Sequence, residues 1–325
     1  MHFTRRIATL ATLAAGLPTL PALGRAAEAA WPNRPVRMLV GYPPGSATDT
    51  FGRAICNQLQ TSLGQPFVVD NRPGATTNIA TEATVHAAPD GYTILNTAVQ
   101  ITINPWLMKV GFDTGKDLIP VTQTLTVTNV LLTGPDFPAK TLPELVEYTK
   151  QNPGKANYGS YGAGSASHLN MAMLQHVSGL DAKHIPYRGS PQMLTALMAG
   201  EIDMCFDTTT SAAVHVQAGK MRAIALGSPQ PLELMPGVPT IASTYRGFNT
   251  DAWQGIFVPA GTPKPIVGLL AREIRKALET PELKALGART GVRLTSSTPE
   301  EFGAYVRAEL AKYEGVVREN HITVD

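Results

Sequence analysis

The sequence predicts a two-lobed α/β protein, on three observations. Short apolar strands alternate with amphipathic helical patterns along the chain. A strand, a Gly-rich loop and a helix start follow one another near residue 40, and again near residue 160. Two longer β-type stretches, at 121–132 and 248–258, let the chain cross twice between lobes of ordinary size.

The elements justify that reading in order. Val36–Val40 is the first strand, and Phe51, Ile55, Leu59 and Leu63 recur every four residues as one helical stripe that Gly64 ends. Phe67–Val69 and Tyr92–Leu95 are further strands, the second entered through Pro89-Asp90-Gly91. The Thr- and Val-rich run Val121–Leu132 reads as one long β segment. Thr141-Leu142-Pro143-Glu144 opens a helix as a capping box. Strand positions follow at Tyr158, His184–Pro186, Ile202–Phe206 and Met221–Leu226, with a helix from Ser190-Pro191 to Gly200 among them. After the β segment Trp253–Val258 two helices finish the chain, the last opened by Thr298 with Glu301 in the reciprocal position. Lobe one is expected to combine 31–126 with 254–325, and lobe two to hold 127–253. The two crossings would form a hinge.

The N-terminus sets the compartment. A basic start with Arg5 and Arg6, an apolar run to about Leu23, and an A-x-A site at Ala27-Glu28-Ala29 have the layout of a secretory signal peptide over residues 1–29. Pro18 and Pro21 interrupt the apolar run, which is too short for a stable span. No Cys lies near the cleavage site to carry a lipid, so the mature protein is expected free in the periplasm. From 27 basic and 25 acidic residues, cleavage after Ala29 would leave equal numbers of each. A net charge of zero argues against nucleic acid or an anionic membrane as partner. Cys56 and Cys205 are expected to be buried free thiols, and His176 and His184 to be surface or core residues. No cofactor or metal site is expected.

The repeated loops carry the functional expectation. Gly41-Tyr42-Pro43-Pro44-Gly45-Ser46-Ala47-Thr48-Asp49 follows the first strand. Gly159-Ser160-Tyr161-Gly162-Ala163-Gly164-Ser165-Ala166-Ser167-His168 follows the strand at Tyr158. Ser46 and Ser165 suit the N-cap, with Asp49 and His168 three residues on. A helix start offers unpaired N–H groups and the positive end of the dipole, so two facing starts could hold a carboxylate without an Arg. Gly162-Ala163-Gly164 is only a fragment of a dinucleotide fingerprint, because Ser167 stands where its third Gly belongs. Walker A, HExxH and GxSxG motifs are absent from the sequence.

The ordered motifs extend over nearly the whole mature chain. They include Trp31-Pro32-Asn33-Arg34-Pro35, Tyr42-Pro43-Pro44-Gly45, Asn71-Arg72-Pro73-Gly74-Ala75 and Pro89-Asp90-Gly91-Tyr92-Thr93, then His184-Ile185-Pro186-Tyr187-Arg188-Gly189, Ala199-Gly200-Glu201-Ile202-Asp203 and Gly261-Thr262-Pro263. In these the sequence resembles the Bug family, the periplasmic binding proteins of tripartite tricarboxylate transporters. The resemblance implies a type II periplasmic-binding-protein fold that captures a small organic carboxylate for integral-membrane transporter subunits. It places Tyr42, Gly45, Ser46 and Asp49 on the first-lobe wall, and Thr76, Thr77 and Asn78 on a mobile segment over the cleft. Tyr161, Ala163, Ser165 and His168 form the opposing loop, with Asp207 after the strand Ile202–Phe206. The family usually carries a second Gly after Gly45 and a Gly pair after Ala75. This chain has Ser46, Thr76 and Thr77 there, which reshapes the distal pocket.

A non-enzymatic monomer is therefore expected. A ligand-presenting sensor would have the same fold and pocket. A serine hydrolase using Ser46 or Ser165 with His168 and Asp49 would need an exposed nucleophile beside an oriented base, whereas capping serines have their hydroxyls engaged. For the ligand, Tyr42 and Tyr161 could flank an aromatic ring, against aliphatic di- or tricarboxylates and amino acids as alternatives.

Overall fold

The computed structural model describes residues 31–323; the signal-peptide reading of 1–29 lies outside them. The chain begins with β1 (Val36–Val40), α1 (Ala47–Leu63), β2 (Phe67–Asn71), α2 (Asn78–Val85) and β3 (Thr93–Ala98). Then come α3 (Gln100–Leu107), the single turn α4 (Thr114–Asp117) and β4 (Leu118–Val127). The second part runs β5 (Asn129–Thr133), α5 (Leu142–Gln151), β6 (Asn157–Ser160), α6 (Ala166–Ser178), β7 (Lys183–Pro186), α7 (Ser190–Ala199), β8 (Met204–Thr208), α8 (Thr209–Gln217) and β9 (Arg222–Leu226). The chain returns through β10 (Ala252–Pro259), α9 (Lys264–Leu278), α10 (Pro281–Thr290), β11 (Arg293–Leu294) and α11 (Pro299–Glu319).

Two mixed sheets result, one per lobe: β11-β4-β10-β3-β1-β2 and β7-β6-β8-β5-β9. In the first, β1 pairs parallel with β2 and β3, while β10 runs antiparallel to β3 and β4. Its central strands are covered on both faces, which is why β1 is apolar at Val36, Met38, Leu39 and Val40, with Arg37 alone exposed. Val36, Met38 and Val40 pack with Phe51, Ile55 and Leu59 of α1 and with Leu270 and Ile274 of α9. Leu39 and Leu95 face the other way, into a core with Trp253, Phe257, Phe302, Val306 and Tyr313. Phe302 of α11 lies so close over Gly255 of β10 that a Cβ has no room there. Lobe two has its own cores, with Tyr158, Met171, Leu174 and Phe206 on one face of its sheet.

The run 121–132 is not one strand. It breaks at Thr128, leaving β4 in the first sheet and β5 in the second. The return crossing lies beside it. Asn129 Nδ2 donates to Thr250 O, Gly227 N to Asn129 O at 2.7 Å, and Thr250 N to Gly227 O at 2.9 Å. The two lobes therefore meet at adjacent crossings bound to each other. A third contact is apolar: Leu169 and Ala172 of α6 join the core that Trp253 and Val316 build in lobe one.

Capping follows the sequence closely. Thr298 and Glu301 form the complete reciprocal box at the start of α11. At α5 the box is incomplete, because the Glu144 carboxylate takes the Lys140 amide instead of that of Thr141. Cys56 and Cys205 are free and buried, and burial pushes the Cys56 thiol up to about 12.

Candidate functional site

The two Gly-rich loops are built alike. Ser46 and Ser165 both sit at the N-cap in extended conformation, at φ −64° and −68°. Each accepts from the amide three residues on, Asp49 N at 3.2 Å and His168 N at 3.4 Å. That same third residue reaches back. Asp49 Oδ2 accepts from Gly45 N at 2.9 Å, and His168 Nδ1 accepts from Gly164 N at 3.1 Å. Gly45 and Gly164 are left-handed, at φ 82° and 70°, which orients those amides inward onto the loop's own helix.

The remaining amides divide sharply. In the second loop, Gly162 N donates to Ser160 Oγ, Tyr161 N to Ser167 Oγ, and Ser165 N to Gly162 O. The amides of Ala163, Ala166 and Ser167 have no protein acceptor among the described residues, nor do those of Ala47 and Thr48 in the first loop. Those of Ala47, Thr48, Ala166 and Ser167 are orphan donors of two helix starts, at the positive ends of the dipoles, and that of Ala163 lies in the loop two residues before the second cap.

Behind the first loop, Asp49 is engaged on both oxygens. Arg53 Nη2 lies 2.9 Å from Oδ1 and Arg53 Nε donates to Oδ2 at 3.2 Å. Asn71 Nδ2 donates to Oδ1 at 2.9 Å and to Tyr42 O at 3.1 Å. Burial opposes the charge of Asp49, yet the hydrogen bonds from Arg53, Gly45 and Asn71 hold its carboxyl below the usual range. Asp49 is buried at 4 % exposure, so its carboxylate shapes the loop from beneath.

Behind the second loop stand two imidazoles. His184 Nε2 lies 2.6 Å from Ser160 Oγ, and the His184 ring stacks on His168. Burial, then the neighbouring His184, lowers the His168 pKa to about 4. A neutral ring with Nδ1 free to accept is what the Gly164 amide requires. Ser165 Oγ meanwhile donates to Gly162 O at 2.6 Å, and the hydrogen bond it receives from His168 comes from the backbone amide. The ring does not address the hydroxyl as a base would. Among the described residues the Ser–His pair joined through its side chains is Ser160 with His184, and Ser160 is fully buried.

Both loop tyrosines titrate high. Burial, then the electrostatic influence of Tyr161, raises the pKa of the Tyr42 hydroxyl, which also donates to Gln100 Oε1 at 2.6 Å. Burial, then Asp207, raises that of Tyr161. Asp207 lies inside β8 and not in the loop after it; it accepts from Ser190 Oγ and from Thr208 N. Its own pKa is raised by burial, against those two hydrogen bonds.

Ala75, Thr76 and Thr77 form a left-handed stretch, at φ 45°, 52° and 77°. Thr77 packs against Gly41 at the root of the first loop, where a Cβ would meet the Thr77 side chain. Asn104 Nδ2 holds the stretch, donating to Thr76 O and Asn78 Oδ1 at 2.7 Å each. Thr77 and Asn78 are buried and Thr76 is exposed. Arg53, Asn71, Asn104, Ser160 and His184 were not singled out from sequence as site residues. Their partners lie 18 or more residues away, except where Arg53 meets Asp49 four residues back and Ser160 meets Gly162 two residues on. Those two short spacings were the signals available.

Among the described residues no helix is long and apolar enough to cross a membrane, and no cluster of His, Cys, Asp and Glu could hold a metal.

Comparison with known proteins agrees with this architecture. Residues 51–322 match the family model described as "Tripartite tricarboxylate transporter family receptor", TctC. BugT of Bordetella pertussis is 33% identical over 293 residues, covering 89% of this chain and 90% of BugT. Among solved structures, Rpa4515 of R. palustris with adipate is 29% identical at TM-score 0.73, covering 90% of this chain and 99% of that one. MatC of Rhodopseudomonas palustris with bound malate is 29% identical at TM-score 0.69, covering 88% and 100%. With its two lobes in the type II periplasmic-binding fold, the chain belongs to the TctC or Bug family, a family of periplasmic solute-binding proteins and not of enzymes.

Proposed function

We propose that this protein captures a small organic carboxylate between the loops Tyr42–Asp49 and Tyr161–His168 and delivers it to the integral-membrane subunits of a tripartite tricarboxylate-type transporter. One observation carries the reading: the amides left without protein acceptors, Ala47 and Thr48 in one lobe and Ala166 and Ser167 in the other, belong to two helix starts, with that of Ala163 in the loop before the second. An anion between them would satisfy both at once, and close the lobes on itself. Tyr42 and Tyr161 would wall the ligand's body, and Ser46, Ser165, Asp49 and His168 would set the amide directions. Asp207 and the segment Thr76–Asn78 would bound the far end.

Adipate and malate, held by the two relatives, make dicarboxylates the first class to try; the tyrosine pair makes aromatic acids the second. Export to the periplasm after cleavage near Ala29 belongs to the same proposal. A thermal-shift screen of organic acids tests it: a ligand at 100 times its Kd should add about 2.7 kcal/mol of apparent stability. A screen in which no mono-, di- or tricarboxylate raises the Tm would refute carboxylate capture. An intact Met1 on protein recovered from cells would refute the export route.

A further inference from the structure

We infer that Arg53 determines how strongly the first-lobe loop attracts an anion, by neutralising Asp49 and without itself touching the ligand. The inference rests on the carboxylate reading above. Both loops need an acceptor three residues after the cap, to fix the amide of Gly45 or Gly164. Lobe two supplies a neutral imidazole, His168. Lobe one supplies a carboxylate, a full negative charge in the first helical turn, below the amides that would meet a negatively charged ligand. At 4 % exposure that charge is covered by protein, with the half-exposed Arg53 between it and solvent.

Arg53 removes the conflict. It lies one turn further along α1 and meets both Asp49 oxygens, at 2.9 and 3.2 Å. Its Nη2 also donates to Asn71 Oδ1 at 2.8 Å, and Asn71 returns a hydrogen bond to Asp49 at 2.9 Å. The three side chains close a ring of zero net charge behind the loop. Each lobe thereby fixes its glycine amide with a group that is neutral towards the cleft, by different chemistry in each. Arg53 is a positioning residue, and its positive charge matters as much as its hydrogen bonds.

Calorimetry on the full mature chain, with acetate, benzoate, adipate, malate and citrate as probes, tests this. Arg53→Met should weaken the tightest probe about tenfold or more, the scale of one uncompensated charge roughly 10 Å from an anion at an effective dielectric of about 20. Arg53→Lys, which keeps the charge, should recover most of that loss. The double variant Asp49→Asn, Arg53→Met should also recover, because no charge is left to neutralise. A double variant as weak as Arg53→Met would make Arg53 a mere brace of loop shape and overturn the inference. Wild type and Arg53→Met binding equally would overturn it while leaving carboxylate capture intact. Wild type binding none of the probes would defeat capture, and this inference with it.

Discussion

The rings of His168 and His184 stack 3.9 Å apart and 13° from parallel, and the Tyr158 ring lies 5.0 Å from His184 and 6.3 Å from His168. Two imidazoles so placed cannot both carry charge. Burial, then His184, brings the His168 pKa from 6.5 to about 4, and burial lowers that of His184 as well.

The first prediction follows from that difference. Between pH 6.5 and about 4 the unfolded chain binds a proton at His168 that the folded chain refuses. This contribution to stability is therefore complete above 6.5 and drains away as pH falls through the window. The Tm of the wild type should drop across it, more steeply than that of His168→Asn, whose amide oxygen can still accept from Gly164. Parallel Tm profiles for the two proteins would mean that the ring does not titrate there.

Gly164 sits at φ 70°, where a β-branched residue costs about 1–2 kcal/mol. Gly164→Val should also turn its amide off His168 and misdirect the neighbouring Ala163 and Ala166 amides. We expect ligand affinity to fall by more than about tenfold while denaturant unfolding remains a single cooperative transition. Unchanged calorimetric affinity would remove this loop from the binding site.

Ser165 caps α6, and Ser165→Ala should cost the fold about 0.5–2 kcal/mol, with Ser165→Gly milder. Affinity should decline only modestly in both, since the Ala163, Ala166 and Ser167 amides remain. Equilibrium unfolding in urea reads the first effect and calorimetry the second. A Ser165→Ala variant that folds as stably as wild type would show that the hydroxyl contributes nothing as a cap.

The left-handed stretch offers a test of opposite signs. Glycine takes φ 52° freely, so Thr76→Gly should be neutral or stabilising by up to about 1 kcal/mol, its greater unfolded-state freedom offsetting part of the gain. Asn104→Ala should destabilise by about 1–3 kcal/mol, by leaving Thr76 O and Asn78 Oδ1 without their donor. Urea midpoints that move the same way for both variants would contradict this account.

Legibility from sequence followed locality. The stripe Phe51, Ile55, Leu59 and the stop at Gly64 could be read because a helix writes its buried face every three to four residues. The caps at Ser46 and Ser165 were legible for the same reason, each meeting its amide three residues away. The break at Thr128 was not, since alternation continues smoothly across a residue at which the strand changes sheets. The short helices α2 and α3 were not singled out either. α3 is buried over Ile101–Asn104 without an amphipathic stripe, and carries Pro105 inside it. Nor could spacing reveal that His184 lies against His168, because β6 and β7 must first pair in parallel to bring Ser160 beside it.

The paired crossings at Thr128 and Thr250 also limit how the lobes can move. Adjacent strands tied through Asn129 and Gly227 behave like two leaves on a single pin: they allow rotation and resist sliding. The motion these crossings favour is a change of angle, against which the α6 contact of Leu169 and Ala172 with lobe one also acts. For the dicarboxylates proposed above, each added methylene would then be absorbed as residual gape at the mouth. Chain length would join charge as something the cleft discriminates, and scattering curves recorded along a homologous series of diacids should then show a graded radius of gyration.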